Sequence, residues 1–463
     1  MSEQINVSDY PNHPINILEP IKIDESIESY QYYEYTPQSQ ENLDTGTPIQ
    51  ININAHDSYI IPSQSYLVIQ GQLVRKDNGN AYEANDQITL VNNAMMYLFS
   101  EIKYSISGVE MERLINPGIT TSIMTYLSQP DDYSTSAGLL SCWSKDTTDH
   151  ADSNDFNVIP AGPIAANFRP TKNPNYNQGF TVRRGLLMSA NPRGSFTFVI
   201  PFGHMFGFAE YNKAIYGVKH SLTLNRYQNN NINLALYKAD ANVADGKIKL
   251  TNITWRVPQI EIEISEKASL QKIIETKKLI PISYCARNDE STHVPQGVRA
   301  FQWRLSVASG VEKPRWIIVG FQTNKDLSQQ QNPTIFVHVN LSNVCVELNS
   351  ARYPSTDLIT NFQTNNYGVL YRMFNNFKEE YYGFNSLVGG TQVNFAAFKS
   401  LFPIVVFDVR KQKERLKTGV MDIQIKFRFG QPIPVNTRAY AVILSDRMYK
   451  MESDGKNLRV VSY

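Results

Sequence analysis

From about residue 47 onward the hydrophobic pattern of this chain has a period of two. In "MDIQIKFRFG", Met421, Ile423, Ile425, Phe427 and Phe429 alternate with Asp422, Gln424, Lys426 and Arg428. Successive side chains of a strand point to opposite faces, so such a segment is a strand with one face buried and one face wet. The same alternation runs through "EIKYSIS", "SFTFVIP", "KIKLTNITWRVPQIEIEI" and "AFQWRLSV". "TIFVHVNLSNVCVELN" reads as a strand, a bend and a second strand, and "AYAVILSDRMY" as a strand buried on both faces. "EIKYSISGVEME" turns at Gly108 and predicts a hairpin.

Helical periodicity is scarce. Its clearest instance is "SEKASLQKIIETKK", residues 265–278, a polar stretch near the middle of the chain that predicts a short connector. Residues 126–180 and 228–246 read as long loops. A chain of 463 residues has room for two or three domains. Strands with few helices, in two similar halves, predict an all-β fold of two antiparallel sandwiches. The expected division is an arm at 1–46, a first β domain at 47–264, the connector at 265–278 and a second β domain at 279–463. The arm carries nine acidic residues against Lys22, and its composition gives it no core of its own.

The net charge is +1 and charged residues make up 19% of the chain, with 42% hydrophobic. That balance excludes a protein that coats nucleic acid by replacing its counterions. The three cysteines, Cys142, Cys285 and Cys345, lack CxxC or zinc spacing and read as buried thiols of a reducing compartment. The first residues lack the pattern of a signal peptide. Phosphate loops, nucleophile elbows and HExxH motifs are absent. "KDTTDHADSNDFN", residues 145–157, lacks the Gly and Glu of a calcium loop and reads as a solvated loop. "RKQKERLK", residues 410–417, reads as a solvated or interfacial basic run, with nucleic-acid contact the lesser alternative. "LVGGT", Leu387 to Thr391, resembles a small-residue protease site and equally suits a turn.

One constellation could carry chemistry. His204, Glu210 and His220 fall within "HMFGFAEYNKAIYGVKH". Two histidines and a carboxylate are metal-ligand and acid/base types. The bland alternative is a turn, a helix starting near Met205, and a strand whose buried face includes His220. An internal echo favours it: 187 residues on, "TQVNFAAFKSLFPIVVFDV" matches Phe208 and Ala209 with Phe395 and Ala396, and Val218 with Val405. In that register the three residues become Thr391, Ala397 and Phe407, which cannot bind a metal. No catalytic, cofactor or metal residue is therefore assigned.

Several segments together resemble one known family. They are "YYEYTPQSQENLDTGTPIQININAHDSYIIPSQSYLVIQGQLV", "LVNNAMMYLFSEIKYSISGVEME", "RRGLLMSANPRGSFTFVIPFGHMF", "PRWIIVGFQTNKDLSQQQNPTIFVHVNLSNVCVELNSARYPSTDL" and "FKSLFPIVVFDVRKQKERLKTGVMDIQIKFRFGQPIPVNTRAYAVILSDRMYKME". They resemble the major capsid proteins of Polinton/Maverick elements and their adintovirus-like relatives, in the double jelly-roll lineage of the adenovirus hexon. The resemblance implies two tandem eight-stranded jelly rolls, each with a short helix before a late strand, where "FAEY" and "FAAF" fall. It implies a non-enzymatic capsid subunit of a double-stranded DNA virus, without cofactors. Three copies would form a pseudo-hexameric capsomer, in contact with neighbouring capsomers, a penton protein and minor capsid proteins, without sequence-specific nucleic-acid binding. The rival from another class is a tandem β-sandwich binding protein, such as a lectin or receptor-binding fibre.

Overall fold

In the computed structural model the described residues are 26–39, 43, 46–54, 58–151, 157–158, 171–227, 234–239, 241–306, 313–383, 391–413, 421–453 and 458–462. Eight strands of the first half are β1 (Ile27–Tyr35), β2 (Ile49–Asn54), β3 (Tyr66–Arg75), β4 (Phe99–Ile106), β5 (Val109–Leu114), β6 (Ser195–Pro201), β7 (Lys219–Arg226) and β8 (Gly246–Ile262). They pair as a folded ribbon. The first pairs with the eighth, the second with the seventh, the third with the sixth and the fourth with the fifth, all antiparallel. Two further pairings, β3 with β8 and β4 with β7, roll this ribbon into two facing sheets. Their orders are β1-β8-β3-β6 and β2-β7-β4-β5, and the short strands Tyr59–Ile60 and Ile215–Tyr216 extend the first sheet beside β8.

The second half repeats the plan. Its strands are β9 (Ile280–Val294), β10 (Ala300–Leu305), β11 (Lys313–Thr323), β12 (Leu341–Leu348), β13 (Ala351–Tyr353), β14 (Val405–Asp408), β15 (Ile423–Phe429) and β16 (Thr437–Ser453). The sheets are β9-β16-β11-β14 and β10-β15-β12-β13, with Leu458–Ser462 added to β16. Each strand thus occupies the place of the strand eight before it. The alternation explains why these segments form sheets: along β15 the apolar residues are buried and the polar ones lie outside. Facing apolar sides make the core, which runs as one cluster from Leu43 to Val460 through both halves.

The structure departs from the sequence reading at several points. Residues 27–35, expected within the acidic arm, form β1 and pair with β8 along their length. The rest of that arm lies largely outside the described residues. Second, helices are more prominent than expected: α1 (Pro117–Ser128), α2 (Gln178–Met188), the connector α3 (Ile264–Glu275), α4 (Gly368–Tyr382) and α5 (Phe395–Ser400). α1 hides its periodicity because it is buried on every side. Its hydroxyls are satisfied locally: Thr121 and Thr125 bond carbonyls four residues back, and Asn93 Nδ2 donates to Thr121 and Ser122. α4 is amphipathic, burying Leu370, Phe374, Phe377 and Lys378, and it ends at Gly383 with φ 71°.

Third, "TIFVHV" is no strand. Phe336 N–H donates to Leu401 O and Val337 N–H to Phe321 O, so its backbone is satisfied by single bonds to two different elements. Fourth, the internal echo is not the structural repeat. "FAEY" lies between β6 and β7, whereas "FAAF" lies between β13 and β14. β7 sits inside its sheet between β2 and β4, while β14 pairs with β11 at a sheet edge. The counterpart of β7 is β15, so Thr391, Ala397 and Phe407 are not the counterparts of His204, Glu210 and His220.

Candidate functional site

The sheets place the three chemistry-bearing residues apart in role. His220 lies on the inner face of β7 and is fully buried. Its Nδ1 is 2.7 Å from Tyr104 Oη, and its ring stacks on that of Tyr104 at 6.0 Å. Phe202 and Phe208 pack 5.0 Å from the same tyrosine. Whichever tautomer is present, Nε2 has no hydrogen-bond partner among the described residues. Burial pushes its pKa down from 6.5 to about 3. His204 is part of the turn Phe202–Met205 and bonds Asn93 Oδ1 at 2.9 Å. Burial, assisted by the Arg287 guanidinium, pushes it to about 3 as well. Glu210 ends a separate 3₁₀ turn, Gly207–Glu210, so the helix expected from Met205 is split at Phe206. No two of the three share a partner. Among the described residues no three His, Cys, Asp or Glu side chains form a metal-binding group.

A test of His220 follows from proton linkage. The folded histidine resists protonation until about pH 3, whereas the unfolded one accepts a proton near 6.5. Its contribution is therefore fully present above pH 6.5 and is lost as pH falls toward 3, at about 1.4 kcal/mol per pH unit. The double variant Tyr104→Phe/His220→Phe removes both partners together and leaves neither orphaned. Between pH 7 and pH 5 it should lose about 2 kcal/mol less stability than the parent, read from urea unfolding. Parallel pH profiles for the two proteins would refute the assignment.

What Glu210 does is join the two halves. Among the described residues β9 has a sheet partner, β16, on one side only. Its open edge turns toward β5 and the 202–211 corner of the first half. There the N–H of Cys285 donates to Glu210 Oε2 at 3.1 Å, and the N–H of Arg287 to Glu112 Oε1 at 3.0 Å. Tyr381 Oη from α4 donates to the other oxygen of Glu210. Glu112, fully buried, also accepts from Gly207 N at 3.0 Å and Phe208 N at 2.9 Å. Carboxylates thus occupy edge donors that would otherwise offer a template to another strand. Burial raises the Glu112 pKa, while Arg287 and the three N–H donors oppose the shift. Arg287 itself donates to His204 O at 2.8 Å and Gly203 O at 2.9 Å.

Gly207 allows this approach. A Cβ there would stand 2.1 Å from the carbonyl oxygen of Cys285. Gly207→Ala must push the corner off β9, and should cost about 1–3 kcal/mol in urea unfolding. An unchanged midpoint would show that the corner is free to move.

Two further carboxylates cross the seam. Asp289 of β9 accepts from Ile115 N at 2.8 Å and from Asn116 N at 2.6 Å, at the N-terminal end of α1. A negative charge there also complements the helix dipole. Asp146 forms a buried ion pair with Arg183 of α2 at 2.7 Å, with side-chain exposures of 0% and 2%. It also accepts from Asn177 at 2.8 Å in the first half, and from Asn332 at 2.9 Å and Thr334 at 3.2 Å in the second. The segment 145–157 is therefore not a solvated loop at its start: Asp146 is enclosed, and Asp149 reaches Lys325 of the second half at 2.7 Å. Nearby, Gln392 Nε2 donates to Thr125 O at 2.6 Å and the Tyr126 and Phe402 rings lie 4.2 Å apart. A cleft of about 470 Å³ opens on the seam, lined by Glu110, Arg113, Asp289, Glu290 and Arg447. Burial pushes Glu290 up to about 7.

The remaining sequence candidates fall elsewhere. Burial raises Cys142 to about 11 and Cys285 to about 12, which keeps both as thiols. Arg410, the first residue of the basic run, pairs with Asp408 and Glu380 and lies 4.7 Å over the Trp316 ring. Its last four residues, 414–417, lie outside the described residues, as do Leu387 to Gly390 of "LVGGT". Among the described residues no helix is long and apolar enough to cross a membrane.

Comparison with known proteins places this architecture. No curated protein sequence matches the chain. Among solved structures, a chain of the Sputnik virophage is similar with a TM-score of 0.57 at 10% identity, covering 98% of this chain and 92% of that one. The Faustovirus major capsid protein gives 0.56 at 9%, covering 96% and 94%. The mavirus major capsid protein gives 0.53 at 11%, covering 100% and 95%. At these identities the likeness is one of fold. The family model described as "Double jelly roll-like domain" matches residues 177–449, from the start of α2 through most of β16. That span is more than half of the sequence, and the chain belongs to the double jelly roll-like domain family.

Proposed function

We propose that this chain is the major capsid protein of an icosahedral double-stranded DNA virus, and that its two rolled ribbons are two tandem eight-stranded jelly rolls. The observation that carries this reading is the repeated strand order across the whole chain. Its fold is shared nearly end to end with chains of virophage and Faustovirus particles. The subunit has a structural role, with the first roll beginning at β1. Three copies, giving six rolls, form a pseudo-hexameric capsomer that meets neighbouring capsomers, a penton protein and minor capsid proteins in the virion. The quoted sequence segments support the Polinton/Maverick type. The three cysteines, free and buried, are in keeping with synthesis in a reducing host compartment.

The surface supports self-assembly. Among the described residues β1 attaches to its sheet along β8 alone, and it exposes Ile27, Tyr30, Tyr32 and Tyr33 at 42–46%. An edge strand rich in exposed aromatics is a liability in a free monomer and a fitting anchor in an oligomer. Mass measurement in solution tests the reading. The expected result is three chain masses, with a pseudo-hexagonal outline in electron micrographs. A chain that stays monomeric over a wide concentration range would favour the tandem β-sandwich binding protein instead.

A further inference from the structure

We propose that the seam, not the covalent connector, holds the two halves together, so that the link through α3 becomes dispensable once the chain has folded. The proposal rests on the seam geometry and is independent of the capsid reading.

α3 has 12 residues and buries one of them, Ile274. It spans about 18 Å at 1.5 Å per residue. Ile264 at its start is 77% exposed, and Leu270 and Ile273 are exposed as well. At its N-terminal end Glu263 accepts from Ser265 N at 2.9 Å and Glu266 N at 3.4 Å, and its own N–H donates to Ser26 O at 3.1 Å, within the first half. A helix of this length with so little packing is marginal by itself and opens locally at low cost. Lys267, Lys272, Lys277 and Lys278 lie on or just after it.

The seam differs in every respect. Glu112, Asp146 and Asp289 are buried in it with donors converging on each, and it joins separate elements of each half. Glu112 and Glu210 close the edge of β9, Asp289 caps the approach to α1, and Asp146 gathers partners from both halves. The aromatic core is continuous across it, with Phe208 against Tyr284 at 4.9 Å and Tyr126 against Phe402 at 4.2 Å. A tether raises the effective concentration of one half at the other. None of the seam bonds named above involves a residue of α3, so cutting it leaves every one of them in place. The seam face of each half is then a docking surface whose partner is the complementary half of the same chain.

The test uses the full chain carrying a site-specific protease sequence inserted between Ser269 and Leu270, with a second version carrying it between Lys277 and Lys278. After cleavage the two fragments should elute together at the position of the uncut chain and separate only in denaturant. In a Glu112→Ala background the cut chain should come apart in native buffer, while the uncut chain still elutes as one species. Separation of the fragments in the parent background would overturn the proposal. Resistance of both sites to cleavage would equally overturn it, because α3 would then not be the open connector described.

Discussion

Asp146→Ala should lower the stability of the protein by about 3–5 kcal/mol, seen as a large fall in the urea midpoint. The substitution leaves the Arg183 guanidinium buried without its counter-charge, and it strips an acceptor from Asn177, Asn332 and Thr334. Removing one member of a buried pair is costlier than removing both, because an uncompensated charge is what the interior cannot solvate. The double variant Asp146→Ala/Arg183→Leu should therefore recover part of the loss. A fall of less than about 1 kcal/mol in the single variant, the size expected of an exposed pair, would show that the pair is open to water.

Glu112→Ala is expected to cost a similar amount, about 3–5 kcal/mol, by a different route. Three backbone N–H groups, those of Gly207, Phe208 and Arg287, lose their acceptor in a site closed to water. Glu112→Gln should be milder. Its single carbonyl oxygen can still serve two of the donors, but its amide then faces the third. The two variants also differ in pH response. Burial holds the Glu112 pKa above the ordinary 4.5. Its contribution is fully present below that value and is lost as pH rises through the folded pKa. Glutamine has no proton to lose, so the parent should become less stable relative to Glu112→Gln as pH rises from about 4.5. Equal dependence in both proteins would place the charge elsewhere.

Glu112 also shows why the seam could not be read from the sequence. In "VEMERL" it occupies one of two glutamates at alternating positions, and alternation alone puts both on the wet face. The structure has a register shift within the β4–β5 pairing, between Tyr104 and Ser105, and lays the second half against that face of β5. Asp146 was missed for the same reason: an acidic, polar segment reads as solvated unless the arginine that encloses it, 37 residues away, is known to be there. The misassigned echo of "FAEY" and "FAAF" has a related cause. Aromatic and small residues recur wherever a turn packs under a sheet, and only strand pairing distinguishes the corner before β7 from the corner before β14.

The sequence by itself determined the class of the fold and the number of its halves. A period of two is a local property, set by the side-chain geometry of a strand, and it survives without knowledge of any partner. It also placed a helical connector at 265–278, where the helix runs Ile264–Glu275, because a polar helix between two β regions needs no tertiary contact to be recognised. The tertiary structure alone decided which strand is eighth partner to the first, and that β1 belongs to the sheet. It also decided that His204, Glu210 and His220 serve three separate contacts. Those outcomes depend on residues distant in sequence sharing one buried space, where a carboxylate is stable only if donors converge on it.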